Sequence, residues 1–196
     1  MKIFFSVLLI AFAIQATLQA EIQTVTLRWT AQLCQGNCME LLTKEFRKIQ
    51  GVEEFNIDQG SGEATIKWKE RIPFQYSAVN TAMRMVGLSI RNIRIQVKGT
   101  IRHAGDTFYI VSNGDYTRFD LLNPVIPNTA GVTAEFNAAA RKLTPALQQQ
   151  LLNGEAQKLD VVIEGPIFMP ERNTIPTQIV LDHLNFIDPK KDQEAN

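Results

Sequence analysis

The sequence contains few of the side chains that usually carry catalysis. It has two cysteines and two histidines among 196 residues. No Ser-His-Asp or Cys-His arrangement can be argued from two histidines. The sequence also has no H-E-x-x-H motif, no phosphate-binding glycine loop and no paired-carboxylate signature. It therefore predicts that the protein is not an enzyme.

An excess of charge of either sign is also missing. Basic residues (Lys and Arg) and acidic residues (Asp and Glu) number 20 each. Because phosphate backbones are bound by a basic surface, this balance argues against nucleic acid as the main partner. The sequence has no Asn-x-Ser/Thr sequon, which agrees with a bacterial periplasmic protein.

Long apolar runs are missing beyond the N-terminus, and residues 1–20 have the pattern of a signal peptide. Lys2 precedes an apolar run over 3–14, and Ala20 is a small residue at the expected cleavage point. A membrane-spanning helix needs about 20 apolar residues, so this shorter run predicts a signal peptide. We expect the mature chain, with 19 basic and 20 acidic residues, to be periplasmic or secreted and not an integral membrane protein.

The first half shows two kinds of apolar spacing in turn. Alternation predicts strands, and spacing by three and four residues predicts helices. The predicted elements are strand 22–29, helix 39–49, strands 52–57 and 63–68, helix 74–86 and strand 88–101. Gly51 and Gly87 follow the two helices, where a residue with positive φ often ends a helix. The order is that of a ferredoxin-like βαββαβ unit.

The second half reads as a small barrel. Its predicted elements are strands 95–102, 106–112 and 115–123, a helix over 132–154 interrupted near Pro145, and strands 158–168 and 177–187. Three strands, a helix and two strands is the order of an OB-fold. The fold is thus predicted to be α+β, with a ferredoxin-like domain over 21–98 and an OB-like β-barrel over 99–188. A disordered tail is expected over 189–196, and a rigid connection through Lys98 and Gly99.

Both cysteines lie in "TAQLCQGNCMELLTKEF", at the start of the first predicted helix. Two thiolates on one metal ion must lie within about 4.6 Å of each other, and helical residues four apart have Cβ atoms about 5–6 Å apart. A disulfide needs Cβ atoms about 3.5–4.5 Å apart, which requires Cys34 in the loop and Cys38 in the first turn. Gly36 and Asn37 permit such a loop. A soft-metal site, a disulfide and two unligated thiols all remain open.

Residues 22–98 resemble the heavy-metal-associated domain of copper chaperones, metal-transporting ATPases and periplasmic mercury-binding proteins. The resemblance rests on the cysteine pair before the helix, on "IQGVEEFNID", on "ATIKW" and on "AMRMVGLSI". The sequence departs from the family in its C-x3-C spacing, in "TAQL" where the family has Gly-Met-Thr, and in Leu88 where an aromatic residue is common. The resemblance implies a metal ion on Cys34 and Cys38. Soft thiolates favour Cu(I), Zn(II) or Hg(II) as that ion, and the OB-like module is expected to contact an envelope protein.

Other candidate ligands have simpler interpretations. Met39 shares a helical face with Leu42 and Phe46, which predicts a core role, and Glu40 is expected to serve the helix N-terminus. His103, placed in a predicted turn, and His183, placed on the last strand, are expected to be ordinary surface or edge residues. Four barrel aromatics are expected to be core and surface residues, with peptide or glycan binding as the alternative: Phe108, Tyr109, Tyr116 and Phe119.

Two functions follow from these observations. The first is an exported periplasmic protein that binds a soft metal ion through Cys34 and Cys38, for trafficking or detoxification. The alternative is a non-enzymatic protein-interaction or scaffold module with a degenerate metal loop, whose cysteines form a disulfide.

Overall fold

The computed structural model describes residues 22–31, 36–124 and 137–187. The predicted signal peptide over 1–20, the predicted tail over 189–196 and Cys34 lie outside the described residues. No helix in the described ranges has the length and apolar character needed to cross a bilayer.

The chain has an α+β fold, as the sequence predicts. Its described strands are β1 Ile22–Ala31, β2 Val52–Asp58, β3 Glu63–Trp68, β4 Leu88–Ala104, β5 Thr107–Ser112, β6 Arg118–Leu122, β7 Asp160–Pro166, β8 Thr177–Val180 and β9 His183–Ile187. Its described α-helices are α1 Cys38–Lys48, α2 Tyr76–Met85 and α3 Pro145–Ala156. Two short 3₁₀ turns cover Ala138–Ala140 and Pro170–Arg172.

The first half is an antiparallel sheet in the order β2-β3-β1-β4 with two helices on one face. Alternate residues of β1 explain this arrangement, because Val25 and Leu27 are fully buried. Leu42 and Phe46, four residues apart on α1, are also fully buried. An apolar strand face and an apolar helix stripe thus meet in one core.

Strand β4 belongs to both halves of the chain. Its residues 88–97 pair with β1, its residues 99–104 pair with β5, and its residues 94–100 pair with β7 on the other edge. Lys98 and Gly99 therefore lie inside a continuous strand, at the point where the sequence predicts a rigid connection. One hydrophobic cluster contains buried residues from both halves, including Leu27, Ile95 and Ile163.

The remaining strands complete the second half, and the sheet formed by the described strands stays mostly open instead of closing into the predicted barrel. Strand β5 pairs with β6, β6 pairs in parallel with β8, and β7 pairs with β9. The single strand predicted over 177–187 is interrupted by Leu181 and Asp182, which separate β8 from β9.

The helix predicted over 132–154 is wrong in its first half, as far as the structure describes it. Residues 132–136 lie outside the described ranges, and Asn137–Leu143 contains only a 3₁₀ turn. Helix α3 begins at Pro145, where the Oγ1 of Thr144 accepts a hydrogen bond from the backbone N–H of Leu147 at 3.3 Å. Pro145 suits this first helical position because it has no N–H to leave unpaired.

Candidate functional site

Cys38 is the first residue of α1, and its side chain is only 4% exposed. Its sulfur is disulfide-bonded, and there is no free cysteine among the described residues. The chain has one other cysteine, Cys34, which lies outside the described residues. Of the two predicted metal ligands, the structure therefore places one, at a helix N-terminus inside the protein.

The backbone before Cys38 turns sharply into α1. Gly36 has a φ of +77°, and a Cβ built there meets no atom within 4 Å. The requirement for glycine is therefore conformational rather than steric. Asn37 has an ordinary φ of −84°, and its backbone oxygen accepts a hydrogen bond from the N–H of Leu41 at 3.0 Å. The predicted tolerance for unusual angles is thus used at Gly36 and not at Asn37.

The two residues that follow Cys38, Met39 and Glu40, make contacts of their own. Glu40 is exposed and forms an ion pair with Lys44 at 3.0 Å. Met39 packs against the hydrophobic core, as predicted. Across the described ranges, no three His, Cys, Asp or Glu side chains are grouped so that they could hold a metal ion.

The two histidines both lie on strands of the second half. The prediction that His103 lies in a turn is wrong, because β4 continues to Ala104 and pairs His103 with Phe108. The His103 ring stacks on Phe108, and its Nδ1 lies 2.5 Å from the Oε2 of Glu155 on α3. His183 lies on the last strand, as predicted; it is the first residue of β9 and is exposed.

The four aromatic residues considered in the second half are divided between the core and the surface, as predicted. Phe108 and Phe119 are buried, with 4% and 0% of their surface exposed. Tyr109 lies under the guanidinium of Arg118, 3.9 Å from its carbon to the ring centroid. Tyr116 is 78% exposed at the turn between β5 and β6. They do not make one stacking platform of the kind that binds nucleic-acid bases.

Sequence reasoning missed a cleft between the start of α2, β4 and the segment 166–177. It consists of two adjoining cavities of about 400 Å³ and 290 Å³, which we call the junction cleft. Both cavities are lined by Tyr76, Ile167, Phe168 and Pro170. Its walls come from distant parts of the chain, so no local pattern in the sequence indicates it.

Two polar groups define the chemistry of the larger cavity. Arg141 is 8% exposed; its Nη1 donates to the backbone oxygen of Asn123 at 3.2 Å, and its guanidinium carbon lies 5.2 Å from the Phe168 ring centroid. Burial, and then the nearby negative charge of Glu171, raises the pKa of Tyr76 above its ordinary value. The Tyr76 phenol is therefore a neutral hydrogen-bond donor and acceptor at pH 7.

A separate ion-pair network joins the two halves beside this region. Arg94 on β4 contacts Glu164 at 3.1 Å and Asp182 at 2.7 Å. Burial acts to lower the pKa of Arg94, but the hydrogen bonds and negative charges of Asp182 and Glu164 raise it on balance. The network fixes β4 against β7 and against the connection between β8 and β9.

Comparison with known proteins adds no further assignment. The chain matches no protein-family model and no curated protein sequence at a significant level. The resemblance to heavy-metal-associated domains therefore rests on the residues quoted above, and the functional argument rests on the geometry of Cys38 and of the clefts.

Proposed function

We propose that the protein is an exported, non-enzymatic interaction module in which Cys34 and Cys38 form a disulfide that fixes the loop before α1. The observation that supports this most directly is the state of Cys38, a buried side chain whose sulfur is disulfide-bonded. Its export to the periplasm or outside the cell is part of the proposal and rests on residues 1–20. Oxidising compartments of this kind favour disulfides over free thiols.

The proposal includes a ferredoxin-like unit continuous with an OB-like unit. The sheet order β2-β3-β1-β4 and the positions of α1 and α2 support the first. The second is supported by the chain of pairings from β4 to β5 to β6, by the parallel pair of β6 with β8, and by β7 lying between β4 and β9. The two units share β4, so the partner would meet a rigid surface.

A second candidate function is the binding of one Cu(I), Zn(II) or Hg(II) ion by the reduced cysteines, with transfer to an envelope protein. The position of Cys38 favours it, because exposed amides and the dipole at a helix N-terminus lower the pKa of a thiol. Soft thiolates select these soft ions. Glu40 does not support a third ligand, since its carboxylate is paired with Lys44.

The state of the cysteines in the exported protein separates the two functions. We expect a maleimide reagent to label no thiol under denaturing conditions before reduction and two thiols after it. The freshly reduced protein is then titrated with Cu(I), Zn(II) and Hg(II) against a competing chelator, beside Cys34→Ser and Cys38→Ser. The exposed Met85→Leu change is the matched control for binding at other soft ligands.

If the protein is an interaction module, the reduced protein and the serine variants should bind Cu(I) and Zn(II) equally weakly in competition with the chelator. Hg(II) reacts with any free thiol, so it reports accessibility rather than a built site. Two free thiols in the exported protein, together with one tightly bound Cu(I) or Zn(II) that both serine variants lose, would overturn the proposal in favour of metal trafficking.

A further inference from the structure

We propose that the exposed side chains of α1, α2 and the segment 69–75, which together we call the helix surface, bind reversibly to a bilayer that contains anionic phospholipid. Such binding names a partner for the proposed interaction function and rests on that function. It uses neither cysteine, and the side chains that carry it do not line the junction cleft.

The charges of the first half are divided between its elements. The segments 38–48 and 69–85 contain six basic and three acidic residues, a net charge of +3, whereas the hairpin over 52–68 contains one basic and four acidic residues, a net charge of −3. The chain as a whole has no net charge, so its balance conceals a basic surface on the helices. A surface of one sign attracts partners of the other.

The excess positive charge on the helices is unpaired. Two of the acidic side chains, Glu40 and Glu45, pair with Lys44 and Lys48 on the same helix, at 3.0 Å and 2.5 Å. Within the described part of the chain, by contrast, no carboxylate forms an ion pair with three exposed arginines: Arg47, Arg71 and Arg84. Their guanidinium groups are therefore available to phosphate, which they bind through paired hydrogen bonds.

Two exposed apolar side chains lie among these charges. Leu41 is 46% exposed and Met85 is 66% exposed. Leu41 lies one helical turn before Glu45 on α1, and Glu45 and Met85 line the same cavity between the two helices. Both apolar side chains therefore lie on the sides of α1 and α2 that border this cavity, next to the basic residues.

The form of the helix surface suits a flat partner. The cavity between α1 and α2 has a volume of about 260 Å³, below the range of about 300–1,000 Å³ that is common for ligand sites. An anionic bilayer is flat and is complementary to both kinds of side chain. Its phosphates strengthen binding roughly fivefold per Lys or Arg near the surface, and the boundary between headgroups and acyl chains buries apolar side chains. A purely acidic surface would satisfy the arginines alone.

Vesicle flotation tests this binding with defined lipids. The mature full-length protein is mixed with vesicles of phosphatidylethanolamine and phosphatidylglycerol in equal parts, or of phosphatidylcholine alone, and the fraction that floats gives the partition coefficient. We expect the anionic vesicles to bind roughly tenfold more strongly or better. Most of this difference should disappear at about 1 M salt, where the Debye length is about 3 Å.

Two double variants connect the binding to the helix surface. Arg47→Gln with Arg84→Gln removes two unpaired charges and should weaken partitioning onto the anionic vesicles roughly tenfold or more. Leu41→Ser with Met85→Ser removes the apolar side chains and should weaken it roughly fivefold or more. Circular dichroism and thermal unfolding verify that each variant is folded.

Matched double variants elsewhere on the molecule are the controls. Arg91→Gln with Arg102→Gln removes two exposed charges from β4, and Tyr116→Ser with Ile175→Ser removes two exposed apolar side chains of the second half. Both should partition as the wild type does, because these residues lie outside the helix surface.

Soluble polyglutamate distinguishes a bilayer from an acidic protein partner, since it offers carboxylates without an apolar phase. We expect it to bind the wild type much more weakly than the anionic vesicles do. Binding to polyglutamate as strong as to the vesicles, and unaffected by Leu41→Ser with Met85→Ser, would assign the helix surface to an acidic protein and overturn the inference.

Three further results would also overturn it: no flotation with the anionic vesicles, equal flotation with phosphatidylcholine, or equal weakening by the helix variants and their matched controls. The cysteine experiment is read on the same preparation and is independent of these outcomes. Vesicle binding by a protein with metal-loaded cysteines refutes the disulfide proposal alone, and a disulfide without vesicle binding refutes the membrane proposal alone.

Discussion

Gly51 is needed because the Trp68 indole occupies the space that a Cβ would take. A Cβ at this position would lie 2.1 Å from Cζ2 and 2.3 Å from Cε2 of that ring. Trp68 is 1% exposed, and its Nε1 donates to the Ile72 carbonyl at 2.8 Å. The ring therefore cannot withdraw without losing both packing and a hydrogen bond.

We predict that Gly51→Ala destabilises the protein by about 1–3 kcal/mol, the usual cost of overpacking a closed core. Urea unfolding followed by tryptophan fluorescence measures it. Gly60→Ala is the matched control, because its Cβ would meet no atom closer than 3.3 Å. Its effect should stay within about 0.5 kcal/mol, as for most surface substitutions. Equal destabilisation by the two changes would show that the Trp68 contact is not the cause.

Single residues also show how far the sequence predicts the candidate site. Met39 was predictable as a core residue, because its spacing from Leu42 and Phe46 along a helix places the three on one face. Gly51 was correctly placed after α1, but the reason is the approach of Trp68 from a distant strand rather than a positive φ. His103 was wrongly placed, because its pairing with Phe108 extends β4 to the edge of the turn at Gly105.

At the scale of elements, the turn between β2 and β3 is stabilised by one carboxylate. Hydrogen bonds from the Ser61 side chain, then from the backbone N–H groups of Ser61 and Gly60, hold the pKa of Asp58 below its ordinary value. The Gly60 N–H lies 2.8 Å from the carboxylate oxygen. A group whose pKa is lower in the folded state stabilises the fold while it is ionised, and that contribution is lost as it becomes protonated.

We predict that Asp58→Ala lowers the free energy of unfolding at pH 7, and that the difference from the wild type shrinks as the pH falls below about 3.9, the ordinary aspartate value. Urea unfolding between pH 2.5 and 7 measures this. Ser61→Ala removes the side-chain hydrogen bond that lowers the pKa of Asp58 most. It should therefore raise that pKa in an NMR titration of the Asp58 carboxyl carbon. A wild-type pKa at or above the ordinary value contradicts the prediction.

Strands and helices were predictable from the sequence where the local spacing of apolar residues determines them. Strands β1, β2 and β3 and helices α1 and α2 follow their apolar periods closely. The alanine run at 138–140 has high helix propensity, yet it forms only a 3₁₀ turn. The backbone N–H of Asn123 bonds to the Arg141 carbonyl at 2.9 Å, so a contact distant in sequence fixes the chain just after this turn. The junction cleft was not predictable for the same reason.

At the scale of the whole molecule, β4 makes the two halves one folding unit. Its residues 94–97 pair with β1 on one edge and with β7 on the other. Ile95 and Val97 are fully buried in the cluster that spans both halves. Unfolding either half would expose one edge of this strand and part of the shared core, so neither half has a complete structure alone.

We therefore predict a single calorimetric transition for the mature protein, with equal calorimetric and van't Hoff enthalpies.

Arg94→Met should remove the ion pairs to Glu164 and Asp182 and cost about 1–2 kcal/mol, between the values for surface and buried pairs. For a chain of this size that lowers Tm by roughly 2–8 °C. The transition should move as a whole, because the lost contacts hold β4 against β7 rather than stabilising one half. Arg102→Glu, a change on the same strand outside that network, should shift Tm much less. Two resolved transitions in the wild type, or a separate fragment 21–98 that unfolds at the temperature of the intact chain, would show that the halves are independent.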